Sequence, residues 1–228
     1  MLAALQRNPN VCLFMAARMT PPNRAIVTEL VSRGSLWQAL RNDHLPPVPF
    51  VFDTPAGCWP WPAIMKVAMG TACGMNYLHR REPFPILHHL NSSNILLDGS
   101  FNVKICDFGL ARLKAYTNSM TGNCGTVQWM APEVLARKKY TETADVYSFA
   151  VVCWELITRT CPYEGLNQIQ AAAKVLNNGL RPDIPQWCPD EFRALIQNSW
   201  QQEAGERPSF GEILQKLRSV PDPLLSVV

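Results

Sequence analysis

A strand-like run, Val103-Lys104-Ile105-Cys106, ends on Asp107-Phe108-Gly109. Asn94 stands thirteen residues upstream of Asp107, beside a second short apolar run, Ile95-Leu96-Leu97. The pattern sets an amide and a carboxylate at the ends of two neighbouring strands. Both are hard oxygen donors of the kind Mg2+ takes. An Asp-x-Gly after a strand is also an ordinary turn, so its meaning depends on what surrounds it. Ala131-Pro132-Glu133 follows, with 21 residues between Gly109 and Ala131.

The surroundings read as a few strands and then many helices. Met1–Arg7 looks like the end of a helix, stopped by Asn8-Pro9-Asn10. Val11–Ala16 and Arg24–Val31 read as a hairpin around Pro21-Pro22-Asn23. Ser35 can cap a short helix, Leu36–Arg41. Residues 43–60 are punctuated by Pro46, Pro47, Pro49, Pro55, Gly57 and Pro60, which predicts an irregular loop. Ile64, Val67, Ala68, Ala72, Met75 and Leu78 recur at helical spacing and predict a helix over Ala63–His79. Ile86-Leu87, Ile95–Leu97 and Val103–Cys106 read as short strands. Helices are expected over Val146–Thr158, Gln168–Asn177, Glu191–Gln201 and Phe210–Ser219. Segregated strands and helices predict an α+β fold.

A chain of 228 residues, 47% hydrophobic, can bury one sizeable core. A net charge of +3 argues against nucleic acid or a membrane surface as partner. The longest apolar stretch, Phe149–Ile157, is interrupted by Glu155 and falls well short of the ~20 residues of a membrane span. No signal-like pattern is read at Met1. The eight cysteines are scattered without a CxxC pair, so reduced thiols and a cytoplasmic location are expected.

Taken together, these motifs resemble the C-terminal lobe of a eukaryotic protein kinase, over about Asn8 to Val220. Gly125-Thr126-Val127-Gln128-Trp129-Met130-Ala131-Pro132-Glu133 is similar to the substrate-side loop of the tyrosine-kinase-like serine/threonine group. Asp145-Val146-Tyr147-Ser148-Phe149-Ala150, Trp154-Glu155-Leu156 and Cys161-Pro162-Tyr163 match further family positions. The family usually has Trp and Gly where this chain has Tyr147 and Ala150. The resemblance implies a kinase-like fold with a mainly helical C-lobe. It divides the chain into an N-lobe remnant and hinge (1–31), a C-lobe (32–220) and a tail (221–228). Within the C-lobe it places an insertion loop at 43–60 and an activation segment at 107–133.

The resemblance also assigns roles. ATP and Mg2+ are the implied cofactors. Asn94 and Asp107 become the Mg2+ ligands. Thr28 becomes the gatekeeper, Glu29 and Val31 meet adenine through their backbones, and Leu96 joins the nucleotide site. Tyr116, Thr117, Ser119, Thr121 and Thr126 are the phosphorylation or substrate-side positions. Glu133 pairs with Arg207 in a buried bidentate contact, and Asp145 braces the catalytic loop. The implied partner is a protein substrate.

The pattern breaks in three places. The family reads Ile-Leu-His-Arg-Asp-Leu before its loop asparagine. This chain reads Ile86-Leu87-His88-His89-Leu90-Asn91-Ser92-Ser93-Asn94, one residue shorter. His88 matches the family histidine, and His89 stands in place of Arg-Asp. No acidic residue lies between Pro85 and Asn94 to accept the substrate's hydroxyl proton. His89 has a suitable unperturbed pKa of about 6.5, but a misplacement of about 1 Å can cost ~10²-fold. One in-frame deletion within Arg-Asp codons (CGN-GAY to CAY) accounts for the change. Second, no Gly-rich loop, strand lysine or helix glutamate precedes the Asn-Pro-Asn turn. The hairpin's apolar face, with Val11, Leu13, Ile26 and Leu30, is then expected to lack cover. Third, Cys58-Trp59-Pro60-Trp61 either forms a docking surface or tucks its tryptophans onto the helical lobe.

Two readings follow. One is a serine/threonine kinase domain that is inactive as written. The other is a non-catalytic kinase-like module that acts by binding another protein.

Overall fold

The structure, a computed structural model, describes residues 7–21, 24–42, 57–80, 90–106 and 126–221, with only the backbone of Thr126. β1 (Phe14–Arg18) and β2 (Ala25–Thr28) pair antiparallel, with Phe14 opposite Thr28 and a bulge between Phe14 and Ala16. α1 (Leu36–Arg41) and α2 (Trp61–His79) follow. A 3-10 turn (Ser92–Asn94) leads into β3 (Ile95–Leu97), which pairs antiparallel with β4 (Val103–Ile105). The remainder is helical: a 3-10 turn (Thr126–Trp129), then α3 (Pro132–Leu135), α4 (Thr143–Thr158) and α5 (Gln168–Asn178). α6 (Asp190–Ser199), a 3-10 turn (Ala204–Glu206) and α7 (Phe210–Ser219) complete it. The fold is α+β, mainly helical, with few and short strands.

Local chemistry explains the helix ends. Ser35 accepts from the Gln38 N–H while the Gln38 side chain accepts from the Ser35 N–H, closing a capping box at α1. Asn167 with Gln170 opens α5 in the same way, and Ser209 with Glu212 opens α7. Gly179 ends α5 in the left-handed region at φ 61°. Arg159 ends α4 in that region too, at φ 58°, although it is not glycine. Its guanidinium donates to the carbonyls of Leu40, Gly57 and Asn42, which hold the turn in place. The tie also joins α4 to α1 and to the segment before α2.

α4 is the centre of the core. Every residue from Ala144 to Ile157 is buried, so the helix presents no solvent face. α2, α6 and α7 pack around it. Trp61 meets Phe192 edge-on at 5.2 Å, and Phe149 meets Phe210 at 5.4 Å. α2 also lies tight against β4. A Cβ added at Gly74 would stand 2.6 Å from Ile105 Cδ1 and 2.8 Å from the Asn10 carbonyl oxygen, so glycine permits the approach.

Several expectations are revised. α2 starts at Trp61 rather than Ala63, with Pro62 in its first turn, where a missing N–H costs nothing. The hairpin strands are shorter than expected, and Val11 leaves them to form a parallel bridge with Ile105. Val11 is therefore buried and Leu13 half-buried, while Ile26 and Leu30 are exposed together with Met15, Met19 and Val27. Trp59 and Trp61 are buried, so the tryptophans of the proline-rich region tuck inward; residues 43–56 lie outside the described part. So do Ile86-Leu87 and most of the helix expected over Met1–Arg7. Among the described residues, six cysteines are free thiols, but Cys161 is disulfide-bonded, against the expectation of reduced thiols. Among the described residues, no helix is long and apolar enough to cross a membrane.

Candidate functional site

The segment that follows β2 is stitched to the β3–β4 hairpin by backbone hydrogen bonds. Arg33 N–H donates to the Leu97 carbonyl at 3.0 Å, and Leu97 N–H to the Gly34 carbonyl at 2.9 Å. Ser35 bridges to Leu96. Glu29 adds side-chain ties. Its Oε1 accepts from the Leu13 N–H at 2.8 Å and from Lys104 Nζ at 2.9 Å. Burial alone would raise the Glu29 carboxyl, but Lys104 and the Leu13 N–H outweigh it and hold the group below its ordinary pKa. The Glu29 N–H donates to the Leu13 carbonyl, and Val31 is buried while Leu30 is fully exposed. Thr28 ends β2, and the neighbouring Cys12 thiol donates to the Glu29 carbonyl at 3.9 Å. These contacts bring Thr28, Glu29 and Val31 alongside the hairpin that carries Asn94 and half-buried Leu96.

Asn94 closes a capped turn. Asn91 Oδ1 accepts from the Ser93 and Asn94 N–H groups at 2.8 and 3.2 Å. The Asn94 carbonyl accepts from the Cys106 N–H at 2.9 Å and from its thiol at 3.2 Å. Asn94 is thus fixed beside Cys106, the residue that immediately precedes Asp107. Asp107 itself lies outside the described residues, as do His88, His89, Thr117, Ser119 and Thr121. The Thr126 backbone opens the 3-10 turn that ends at Trp129.

Beyond the 3-10 turn Thr126–Trp129, Glu133 and Arg207 form a two-pronged contact at 2.7 and 2.8 Å. Arg207 spends its remaining donors on the carbonyls of Thr143, Gln201 and Gln202. One planar side chain thereby joins α3, the start of α4 and the turn before α7. The face of Tyr147 lies 5.3 Å from the guanidinium. Asp145 is fully buried at the start of α4, and its Oδ2 lies 2.9 Å from His79 Nε2 at the end of α2. The sequence motifs assigned no partner at position 79.

A second buried carboxylate stood in the sequence as an interruption of an apolar run and inside the match Trp154-Glu155-Leu156, with no partner assigned. Glu155 sits at 0% exposure in α4. Its Oε1 accepts from Arg41 at 3.1 Å and from the Ser92 hydroxyl at 3.0 Å, and its Oε2 accepts from the Trp129 indole at 2.7 Å. Arg41 in turn lies over the Trp37 ring, which meets Trp129 edge-on at 6.0 Å. Burial pushes the Glu155 carboxyl up to about 7, against the opposing pull of Arg41, Trp129 and Ser92. The signal available earlier was a lone acid inside an apolar helical run.

A segment after β2 tied to the β3–β4 hairpin, an asparagine fixed beside Cys106, and a turn anchored by an Arg–Glu pair are the arrangement expected of a protein kinase domain. A sequence model of the family described as protein tyrosine and serine/threonine kinase matches residues 1–217. The chain belongs to this family. It is 43% identical over 208 residues to the probable serine/threonine-protein kinase drkD of Dictyostelium discoideum, covering 91% of this chain and 15% of that protein. It is 43% identical over 224 residues to the serine/threonine-protein kinase CTR1 of Arabidopsis thaliana, covering 95% of this chain and 26% of CTR1. With the serine/threonine-protein kinase STY46 of Arabidopsis thaliana it shares 38% identity over 215 residues, 94% of this chain and 35% of STY46. The chain therefore spans well under half the length of these relatives.

Proposed function

We propose that this chain is a protein kinase domain of the tyrosine-kinase-like serine/threonine type, and that the polypeptide as written does not transfer phosphate. The family reaction moves the γ-phosphate of ATP to a protein serine or threonine hydroxyl. Asn94 and Asp107 are the residues that would hold Mg2+; their amide and carboxylate oxygens suit it. Bound there, the ion would neutralise phosphate charge. Thr28, Glu29, Val31 and Leu96 would take the adenine side. The activation-segment residues Thr117, Ser119, Thr121 and Thr126 would face regulation or substrate, and the partner is a protein rather than nucleic acid. The relatives are named as serine/threonine kinases, and a cytoplasmic location goes with ATP as donor.

The observation that carries the inactive reading is the loop His88-His89-Leu90-Asn91-Ser92-Ser93-Asn94. It offers no carboxylate to orient the acceptor hydroxyl, and removing a positioned base typically costs ~10²–10⁴-fold. The second reading, a non-catalytic module that binds another protein, rests on the same loop together with the well-packed helical core. The test compares the chain with a variant in which His89 is replaced by Arg-Asp, both incubated with Mg2+ and labelled ATP on a generic protein substrate. The proposal expects no transfer by the chain as written. Transfer at the same rate by both proteins would sink the inactive reading. Absence of Mg2+-dependent ATP binding in both would favour the non-catalytic module.

A further inference from the structure

Glu155 receives three donors from three separate segments: Arg41 from α1, Ser92 from the Asn94 turn, and Trp129 from the substrate-side loop. Only the Ser92 hydroxyl can reverse its bond, because a hydroxyl both donates and accepts, whereas a guanidinium and an indole N–H only donate. We propose that Glu155 is a proton-operated tie between the substrate-side loop and the Asn94 turn. Ionised, it holds Trp129, Ser92 and Arg41 by charge-assisted hydrogen bonds. Protonated, it donates to Ser92 and keeps Trp129 and Arg41 by weaker, neutral contacts. The ring that closes through Trp37, between Arg41 and Trp129, passes the change on to α1.

The surroundings leave this proton to one charged partner. Among the described residues, Arg41 is the charged group that acts on Glu155 directly, and Glu164 acts on Arg41. α2, packed against α4, carries Lys66, which donates to the Ser100 carbonyl, and His79, which pairs with Asp145. Arg80 follows at its end. α6 carries Asp190, Glu191 and Arg193, and Arg193 is spent on the carbonyls of Ile184, Pro185, Gln186 and Cys188. Of the turn before α7, Glu206 lies exposed. A midpoint of about 7 places the change within the physiological range. The inference stands whether or not the chain transfers phosphate.

The test is a pH titration of the seven tryptophan indole N–H signals by NMR on the full chain, with Trp129 assigned through Trp129→Phe. The expected result is a Trp129 signal that moves upfield as pH falls, with a midpoint near 7. In Ser92→Ala that midpoint rises, because the charge-assisted bond lost from the ionised form is stronger than the neutral one lost from the protonated form. In Glu155→Gln the titration disappears. A Trp129 signal that does not titrate, or that titrates unchanged in Glu155→Gln, overturns the proposal. Should Glu155→Gln fail to fold, Ser92→Ala decides alone, and an unmoved midpoint there overturns it.

Discussion

At the scale of single residues, two buried charges behave differently. Arg207 is satisfied on every side, and its loss would strand Glu133 and three backbone carbonyls. Arg207→Ala is therefore expected to destabilise the fold by ~3–5 kcal/mol in urea unfolding. A loss below about 1 kcal/mol would mean that the pair is solvated in solution. Glu155 sits at the other extreme. Burial raises its carboxyl from the ordinary 4.5 to about 7, so the folded state prefers it protonated. Its stabilising contribution is complete below about 4.5 and is lost as pH rises through about 7. At about 1.4 kcal/mol per pKa unit, the difference across that window is ~3 kcal/mol. Thermal unfolding should accordingly show the parent protein losing more stability than Glu155→Gln between mildly acidic and mildly alkaline pH. Parallel curves would contradict this. The Glu133–Arg207 pairing was legible from two motifs far apart in the chain. The Glu155 cluster was not, because its partners at 41, 92 and 129 share no spacing and meet only through packing.

At the scale of elements, the helices were the most legible part. α7 has the bounds that its periodicity predicts, and α5 differs by one residue, because amphipathic spacing and capping boxes are local properties. Their mutual distances were not local. The closeness of α2 to β4 depends on Gly74, whose added methyl would collide with Ile105 and with the Asn10 carbonyl. Gly74→Ala should thus destabilise by ~1–3 kcal/mol through overpacking, despite alanine's better helix propensity of about 1 kcal/mol. Gly211→Ala is the matched control in α7, since its nearest foreign atoms are 3.8 Å away. A more stable Gly74→Ala protein would show that β4 can yield. Strand ends were the least legible: the bulge after Phe14 and the departure of Val11 towards Ile105 leave a shorter hairpin than alternation suggests.

At the scale of the whole molecule, the described helices share one buried core, whereas described apolar residues of the β1–β2 hairpin are exposed. Leu30 is 95% exposed, and Met15, Met19, Ile26 and Val27 are exposed with it. Exposed apolar surface of this kind promotes association. The chain is expected to self-associate with rising concentration, and the double change Met15→Ser with Leu30→Ser should reduce that in light scattering. A monodisperse parent protein at every concentration would count against it. The family and the order of strands and helices could be read from residue types and spacing, since motif chemistry and periodicity are written along the chain. Which acid becomes a buried hub, and which residues of the hairpin's apolar face find cover after all, could not. Those outcomes depend on the three-dimensional neighbours that determine whether a side chain meets water, a donor or another apolar surface.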